Sequence, residues 1–278
     1  PKAASRAALM NVGILHPGAM GAVLAGQAST RVLWASGGRS SETERRAAAH
    51  GLVGTGSVTD LVAASDMLIS VCPPHAASDV AIQVQQLGFG GIYVDANAIA
   101  PATVREIAPR FERFVDGGIV GPPPIEPGLT RLYLAGQGAA EVADLWSDSN
   151  VEVRILDGDV GSASALKAAY AGWTKGSAAL LLAVRAYAEA HGLGDEIMAE
   201  WETSIPGLAD RADGTAGRIG RKAWRFEGEM AEIAAALEEV GLPGGFHDSA
   251  REVYHRLSDL KGVEEQTVED VNRRLLGT

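Results

Sequence analysis

The chain has 278 residues, 46% hydrophobic but only 5% aromatic, with a formal net charge of −11. That length can bury the core of one large or two modest domains, and the acidic balance argues against broad binding to nucleic acid or an anionic membrane, though not against an anionic ligand in a locally positive pocket. The single cysteine, Cys72, excludes an intramolecular disulfide and fits a reducing cytoplasm, while the longest apolar run, Ala178–Val184, is far short of the roughly 20 residues of a membrane span.

Residues 1–9 read as a leader outside the fold. From Met10 to about Leu156 short apolar runs alternate with helical stretches. Strands are expected at Asn11–Leu15, Arg31–Ala35, Met67–Val71, Gly91–Asp95, Phe114–Gly118, Arg131–Ala135 and Val151–Ile155. Helices are expected at Ala19–Ala28, Ser41–His50, Ala76–Leu87 and Ala102–Arg110. This alternation specifies an α/β fold, a mostly parallel, doubly wound sheet of the Rossmann type. The first unit has the strand–glycine turn–helix form of a phosphate cradle, Asn11-Val12-Gly13-Ile14-Leu15-His16-Pro17-Gly18-Ala19-Met20-Gly21. Gly18 lets the backbone approach a pyrophosphate, Gly21 lets the helix pack on its strand, and the helix N-terminus offers N–H groups to the anion. His16, Pro17, Gly18, Ala19 and Met20 are therefore candidate cofactor residues. The turn is irregular, because His16 and Pro17 stand where a glycine pair is usual.

The second strand ends at Ser36, followed by Gly37-Gly38-Arg39-Ser40-Ser41. No acid at the strand tip accepts the ribose hydroxyls of NAD, while Ser36, Arg39 and Ser40 can hold a 2′-phosphate. NADP is the expected cofactor; the competing assignment gives Glu42 to the ribose and leaves Arg39 in solvent.

Beyond Gly158 the pattern becomes entirely helical. Ser162–Ala190 reads as one helix of about 40 Å at 1.5 Å per residue, and its apolar middle, Gly176–Val184, is expected to be buried on every side. Further helices are expected at Asp195–Thr203, Leu208–Ala212, Gly217–Val240, Gly245–Leu257 and Val268–Leu275. The plan is a cofactor domain at residues 10–158 and an all-helical substrate and dimerisation domain at residues 159–278. Covering the long helix calls for a second subunit, so a homodimer is expected.

In this order the segments resemble the β-hydroxyacid dehydrogenase and 6-phosphogluconate dehydrogenase superfamily, which includes imine reductases. The glycine turn is similar to the family's Gly-Leu-Gly-x-Met-Gly. Val71-Cys72-Pro73-Pro74 resembles its Pro-containing loop along the cofactor, and Asp95-Ala96-Asn97-Ala98-Ile99-Ala100-Pro101 its nicotinamide segment. Asp116-Gly117-Gly118-Ile119-Val120-Gly121-Pro122 is similar to the substrate loop, and Gly158-Asp159-Val160-Gly161-Ser162-Ala163-Ser164-Ala165-Leu166-Lys167 resembles the segment whose lysine opens the interdomain helix. Trp224-Arg225-Phe226-Glu227-Gly228-Glu229-Met230 with Gly241-Leu242-Pro243 looks like the branch with a distinctive helical C-terminal domain, which the His-Pro-Gly turn also fits.

The resemblance implies that Cys72, Pro73, Pro74 and Asn97 lie along the cofactor, and that Gly117, Gly118, Val120 and Gly121 line the substrate. It implies an NADP-dependent oxidoreductase acting on a small hydroxy acid or keto compound, with Lys167 as general acid/base. Tyr170 and Thr174 share the Lys167 face of the helix, Tyr170 able to relay a proton and Thr174 to anchor substrate. Trp224 and Phe226 are candidates for the pocket wall or, equally, for core packing. Three positions depart from the family: Val120 replaces a serine, Ala171 an asparagine and Ala98 a hydroxyl residue. These losses leave open an imine substrate or a non-enzymatic NADP sensor, while Lys167 counts against both. Lys175 lies about 80° off the Lys167 face and reads as structural or solvent-facing. Cys72 reads as a small hydrophobe. Arg218, Arg221, Lys222 and Arg225 read as a solvated face, and His247 and His255 lack metal-spaced partners, so no metal is expected.

Overall fold

The computed structural model describes residues 10–277 apart from 262, 264 and 265; the expected leader lies outside the described residues. Contacts divide the chain into two units, one running to Ala168 and the other from Ala169 onward.

The first unit alternates β1 (Val12–Ile14), α1 (Ala19–Gly26), β2 (Val32–Trp34), α2 (Ser41–Ala49), β3 (Val53–Gly54), α3 (Val58–Ala64), β4 (Met67–Ser70), α4 (Ala77–Gln86), β5 (Ile92–Asp95), α5 (Pro101–Ile107) and β6 (Arg113–Val120). It continues with β7 (Thr130–Ala135), α6 (Ala139–Ala143) and β8 (Val151–Ile155). All eight strands form one sheet in the order β3-β2-β1-β4-β5-β6-β7-β8. Every neighbouring pair is parallel except β6 with β7. The first six follow the dinucleotide-fold order, which places ligands at the carboxyl ends of the strands beside the β1/β4 switch point.

The seven expected strands are present, and β3, α3 and α6 are additional. β3 has two residues, too few for alternation to show in a sequence. α3 is announced by a capping box, in which Ser57 Oγ accepts from Asp60 N and Asp60 accepts from Ser57 N.

Apolar side chains fill both faces of the sheet. Val12, Ile14, Met67, Ile69, Ile92 and Val94 pack on one side, and Leu68, Tyr93 and Phe114 on the other with α3, α4 and α5. The alternation along β5 and β6 therefore puts Asp95 and Asp116, paired across the two strands, on the face of Tyr93 and Phe114.

α7 (Ser162–Ala190) begins in the first unit and continues into the second, where α8 (Gly194–Ser204), α9 (Leu208–Glu239), α10 (Gly245–Arg256) and α11 (Val268–Leu276) follow. Two expectations are corrected here. Leu208–Ala212 and Gly217–Val240 are one continuous helix, because Ala212, Thr215 and Ala216 are buried and their packing outweighs the roughly 1 kcal/mol cost of a mid-helix glycine. The middle of α7 is not buried on every side. Gly176, Ala178, Ala179, Leu181 and Leu182 face inward, but Leu180 and Val184 are exposed. With Trp173 and Tyr187, 70% and 66% exposed, they form an apolar stripe at helical spacings of seven, four and three residues.

The second unit also contains a buried ion pair. Lys175 Nζ donates to Glu229, lies over the Phe226 ring at 4.4 Å from its centroid, and sits below Tyr254, whose hydroxyl donates to Lys175 O at 2.6 Å. Lys175 is thus structural rather than solvent-facing, and Phe226 belongs to this packed group.

Candidate active site

The glycine turn follows β1 directly. Leu15 N still donates to Ile69 O, Gly18 N turns back onto His16 O at 2.8 Å, and α1 starts at Ala19. A Cβ on Gly21 would lie 2.7 Å from His16 O and 3.1 Å from Ile14 Cδ1, so only glycine lets α1 pack this closely on its strand. A Cβ on Gly18 would meet nothing within 4 Å, so the approach to the turn is open. The first-turn N–H groups of α1 have no intrahelical acceptor, as at any helix start. His16 Nδ1 is buried with no hydrogen-bond partner among the described residues. These features fit the pyrophosphate and adjoining ribose of a dinucleotide.

At the tip of β2, Arg39 Nη2 reaches Leu15 O at 3.5 Å, so its guanidinium lies beside the glycine turn. Glu42 is paired with Arg46 at 2.5 Å, one turn along α2. Serines and Thr55 also stand near the strand tip, Thr55 Oγ1 donating to Trp34 O at 3.2 Å. Ser36 Oγ accepts from Gly56 N at 3.3 Å, and Ser40 Oγ caps α2 by accepting from Thr43 N at 3.3 Å.

The ends of β4 and β5 are tied together by Asn97. Its Oδ1 accepts from Cys72 N at 2.6 Å, its Nδ2 donates to Ser70 Oγ at 3.0 Å, and its backbone N donates to Asp95 Oδ1 at 3.0 Å. Asn97 thereby fixes the loop carrying Cys72, Pro73 and Pro74. Burial pushes the Cys72 thiol up to about 11, so it remains protonated and unreactive at neutral pH. Burial likewise raises Asp95 to about 7, and the nearby Asp116 adds to the shift.

Asp116, fully buried on β6, holds the start of α7. Its Oδ2 accepts from Gly161 N, Ala163 N and Ser164 N at 2.9, 2.9 and 3.1 Å, and its Oδ1 accepts from Ser164 Oγ at 2.7 Å. Burial favours the protonated acid; the four donors and the positive helix end oppose it. Two residues on, a Cβ at Gly118 would lie 2.6 Å from Ala163 O and 3.3 Å from Lys167 Cβ. Glycine here therefore brings the half-buried Lys167 against β6, beyond the carboxyl end of β5.

Gly117 packs against Asp95 O and Ala96, and Gly121 has φ +111 and turns the chain out of β6. Val120 is 2% exposed and belongs to the core. Tyr170 is exposed, and Thr174 Oγ1 donates back to Tyr170 O at 3.0 Å. Trp224 carries the Lys261 ammonium 3.9 Å from its ring centroid. Arg218, Lys222 and Arg225 are exposed, and the Arg221 side chain lies outside the described residues. Among the described residues no cluster of His, Cys, Asp and Glu could hold a metal ion, and no helix is long and apolar enough to cross a membrane. Sequence reasoning gave no role to Asp116, Ser164 or Asp95. The signal for the two acids was only their place in two successive strands, and Ser164 had none.

With this geometry the chain has the fold of the 3-hydroxyacid dehydrogenases: a Rossmann-like sheet followed by an all-helical region. Residues 188–257, within the helical region, match the family described as Domain of unknown function (DUF1932). A conserved protein whose structure was reported to resemble 3-hydroxyacid dehydrogenases is 29% identical, with a TM-score of 0.68 over 90% of this chain and 98% of that one. The 3-hydroxyisobutyrate dehydrogenase of Mycobacterium tuberculosis, solved with L-serine, is 14% identical, also with a TM-score of 0.68, over 96% of this chain and 99% of that one. A protein of Methanothermus fervidus, described as an uncharacterized 28.5 kDa protein in the 7S RNA 5′ region, is 34% identical over 163 residues. That match spans 58% of this chain and 63% of the relative, less than two thirds of its length. Imine-reducing enzymes share the fold at TM-scores of 0.51 and 0.54.

Proposed function

We propose that this protein is an NADP-dependent oxidoreductase that interconverts a carbonyl and an alcohol on a small hydroxy acid or keto compound. The observation that carries the reading is the seating of Lys167: Asp116 holds the start of α7, and Gly118 lets the helix bring Lys167 against the end of β6. The bound nicotinamide supplies or accepts the hydride. His16, Pro17, Gly18, Ala19 and Met20 hold the pyrophosphate side, Ser36, Arg39 and Ser40 the 2′-phosphate, and the Asn97-braced loop of Cys72, Pro73 and Pro74 the nicotinamide side.

Lys167 gives a proton to the carbonyl oxygen during reduction, and its neutral amine removes the hydroxyl proton in the reverse direction. Gly117 and Gly118, expected to line the substrate, instead pack against Ala96 and the start of α7, and so act by seating Lys167. Tyr170, one turn on, relays the proton, and Thr174 anchors the substrate. Residues 10–158 serve the cofactor, and residues 159–278 supply substrate contacts and the dimer surface. The exposed stripe of Trp173, Leu180, Val184 and Tyr187 supports a homodimer through α7. Sedimentation of Leu180→Glu checks this, with the variant expected as a monomer. With one cysteine and no need of a disulfide, a reducing cytoplasm is the fitting compartment.

The test is turnover with NADPH and NADH against hydroxy acids, keto acids and cyclic imines. Turnover of keto or hydroxy acids with NADPH preferred is the expected result. Turnover of imines alone favours the second reading, an imine reductase, which the loss of the substrate-loop serine and the helix asparagine supports. Binding of NADPH with no turnover favours a sensor.

A further inference from the structure

We propose that His16 takes up a proton when a phosphate of the dinucleotide docks on the glycine turn, so that this chain couples cofactor binding to protonation of its own cradle. The proposal rests on the dinucleotide reading above and concerns the residue that replaces a glycine there. His16 stands at the junction of β1 and α1, its backbone held there by the carbonyl that accepts from Gly18 N and lies against Gly21. Its Nδ1 is buried without a partner among the described residues. A buried polar nitrogen left unpaired carries a desolvation cost that an anion docked on the turn would relieve.

Arg39, from the loop after β2, is the charged group that acts on the ring; the first turn of α1 carries no acidic residue. Burial first, and Arg39 second, bring His16 down to about 4, so the free protein holds a neutral ring at pH 7. A phosphate bound there reverses both influences. Its negative charge offsets Arg39, and a protonated Nδ1 gains an acceptor in place of none. An opposite charge within about 4–6 Å stabilises the charged form, which moves His16 back toward or above its ordinary value of about 6.5.

The sign follows. Between about pH 4 and the raised value, the complex binds more protons than the free protein, so affinity increases as pH falls. The gain reaches up to about tenfold per pH unit between about pH 7 and pH 5 and levels off below about pH 4. A 2′-phosphate takes up its own second proton near pH 6, which works in the opposite direction and makes the NADH comparison necessary.

The test is calorimetric titration of the full chain with NADPH and with NADH at about pH 6, in two buffers of different ionisation enthalpy, for the native protein, His16→Gln and His16→Gly. The expected result is uptake of a substantial fraction of one proton by the native protein and none at this residue in either variant. Uptake with NADPH alone assigns the partner as the 2′-phosphate; uptake with both cofactors assigns the pyrophosphate, and each supports the proposal. Binding without proton uptake, or uptake unchanged in both variants, overturns it and leaves the cofactor reading standing. Failure of the folded native protein to bind either cofactor overturns both. Should the variants not fold, the His16 ring proton shift titrated by NMR with and without NADPH decides: an unmoved midpoint sinks the proposal.

Discussion

The sheet unit and the helical unit bury polar groups for different ends. In the sheet unit they gather at the carboxyl ends of β4, β5 and β6, where Asn97, Asp95 and Asp116 fix two loops and the start of α7. Asp116, Asn97 Oδ1 and Asp95 Oδ1 each accept from backbone N–H groups, so these contacts specify where the chain goes. In the helical unit the buried pair Lys175–Glu229 joins helix to helix through side chains alone, with Phe226 and Tyr254 excluding water around it. The lesson is that burial and charge alone do not mark a site. Lys175 is the more buried lysine, yet the half-buried Lys167 against β6 is the one proposed for chemistry.

The contrast predicts that damage to the helical unit appears as lost stability and damage to the sheet unit as lost chemistry. The largest effect is expected of Glu229→Ala, which strands the Lys175 charge in the interior and costs about 3–5 kcal/mol in urea unfolding. Lys175→Met combined with Glu229→Leu should recover most of that loss, since desolvating the pair offsets much of its attraction. A fully stable Glu229→Ala protein would break the comparison.

Lys167→Ala comes next, lowering kcat by about 10²-fold or more with NADPH affinity and unfolding midpoint unchanged. A near-native kcat would take Lys167 out of the mechanism.

Asp95 offers a smaller test, read in pH. Its carboxyl holds a proton more tightly folded, at about 7, than unfolded. The native state therefore binds the extra proton, and stability falls as pH rises from about 4 to about 7, then levels off. Asp95→Asn, which mimics the protonated acid, should flatten this decline in denaturation across that window. An unchanged profile would show that Asp95 is ionised throughout. The smallest change is expected of Arg39→Ala, which should weaken NADPH by about tenfold, or about 1.4 kcal/mol, and NADH hardly at all. Equal losses would remove Arg39 from the 2′-phosphate.

The strands were legible because buried parallel strands are short apolar runs, and the glycine turn because close packing at Gly21 admits no side chain. β3 was not, having only two residues, and the continuity of α9 was not, because burial of Ala212 and Ala216 overrides the local glycines. At the site, the Lys167 segment stood out through its glycine spacing, whereas Asp116 was one acid within an expected strand. Its role depends on three backbone N–H groups some 45 residues further along.

By itself the sequence determined the alternating sheet, the glycine turn with His16 in a glycine's place, and the long helix that carries Lys167, since periodicity and glycine spacing are local properties. Only the tertiary structure decided that Asp116 anchors that helix, that Asn97 braces a loop, that Lys175 pairs with Glu229, and that one stripe of α7 is left uncovered. Those outcomes depend on which distant backbone donors and side chains meet in a low-dielectric interior, and one-dimensional spacing carries no record of that.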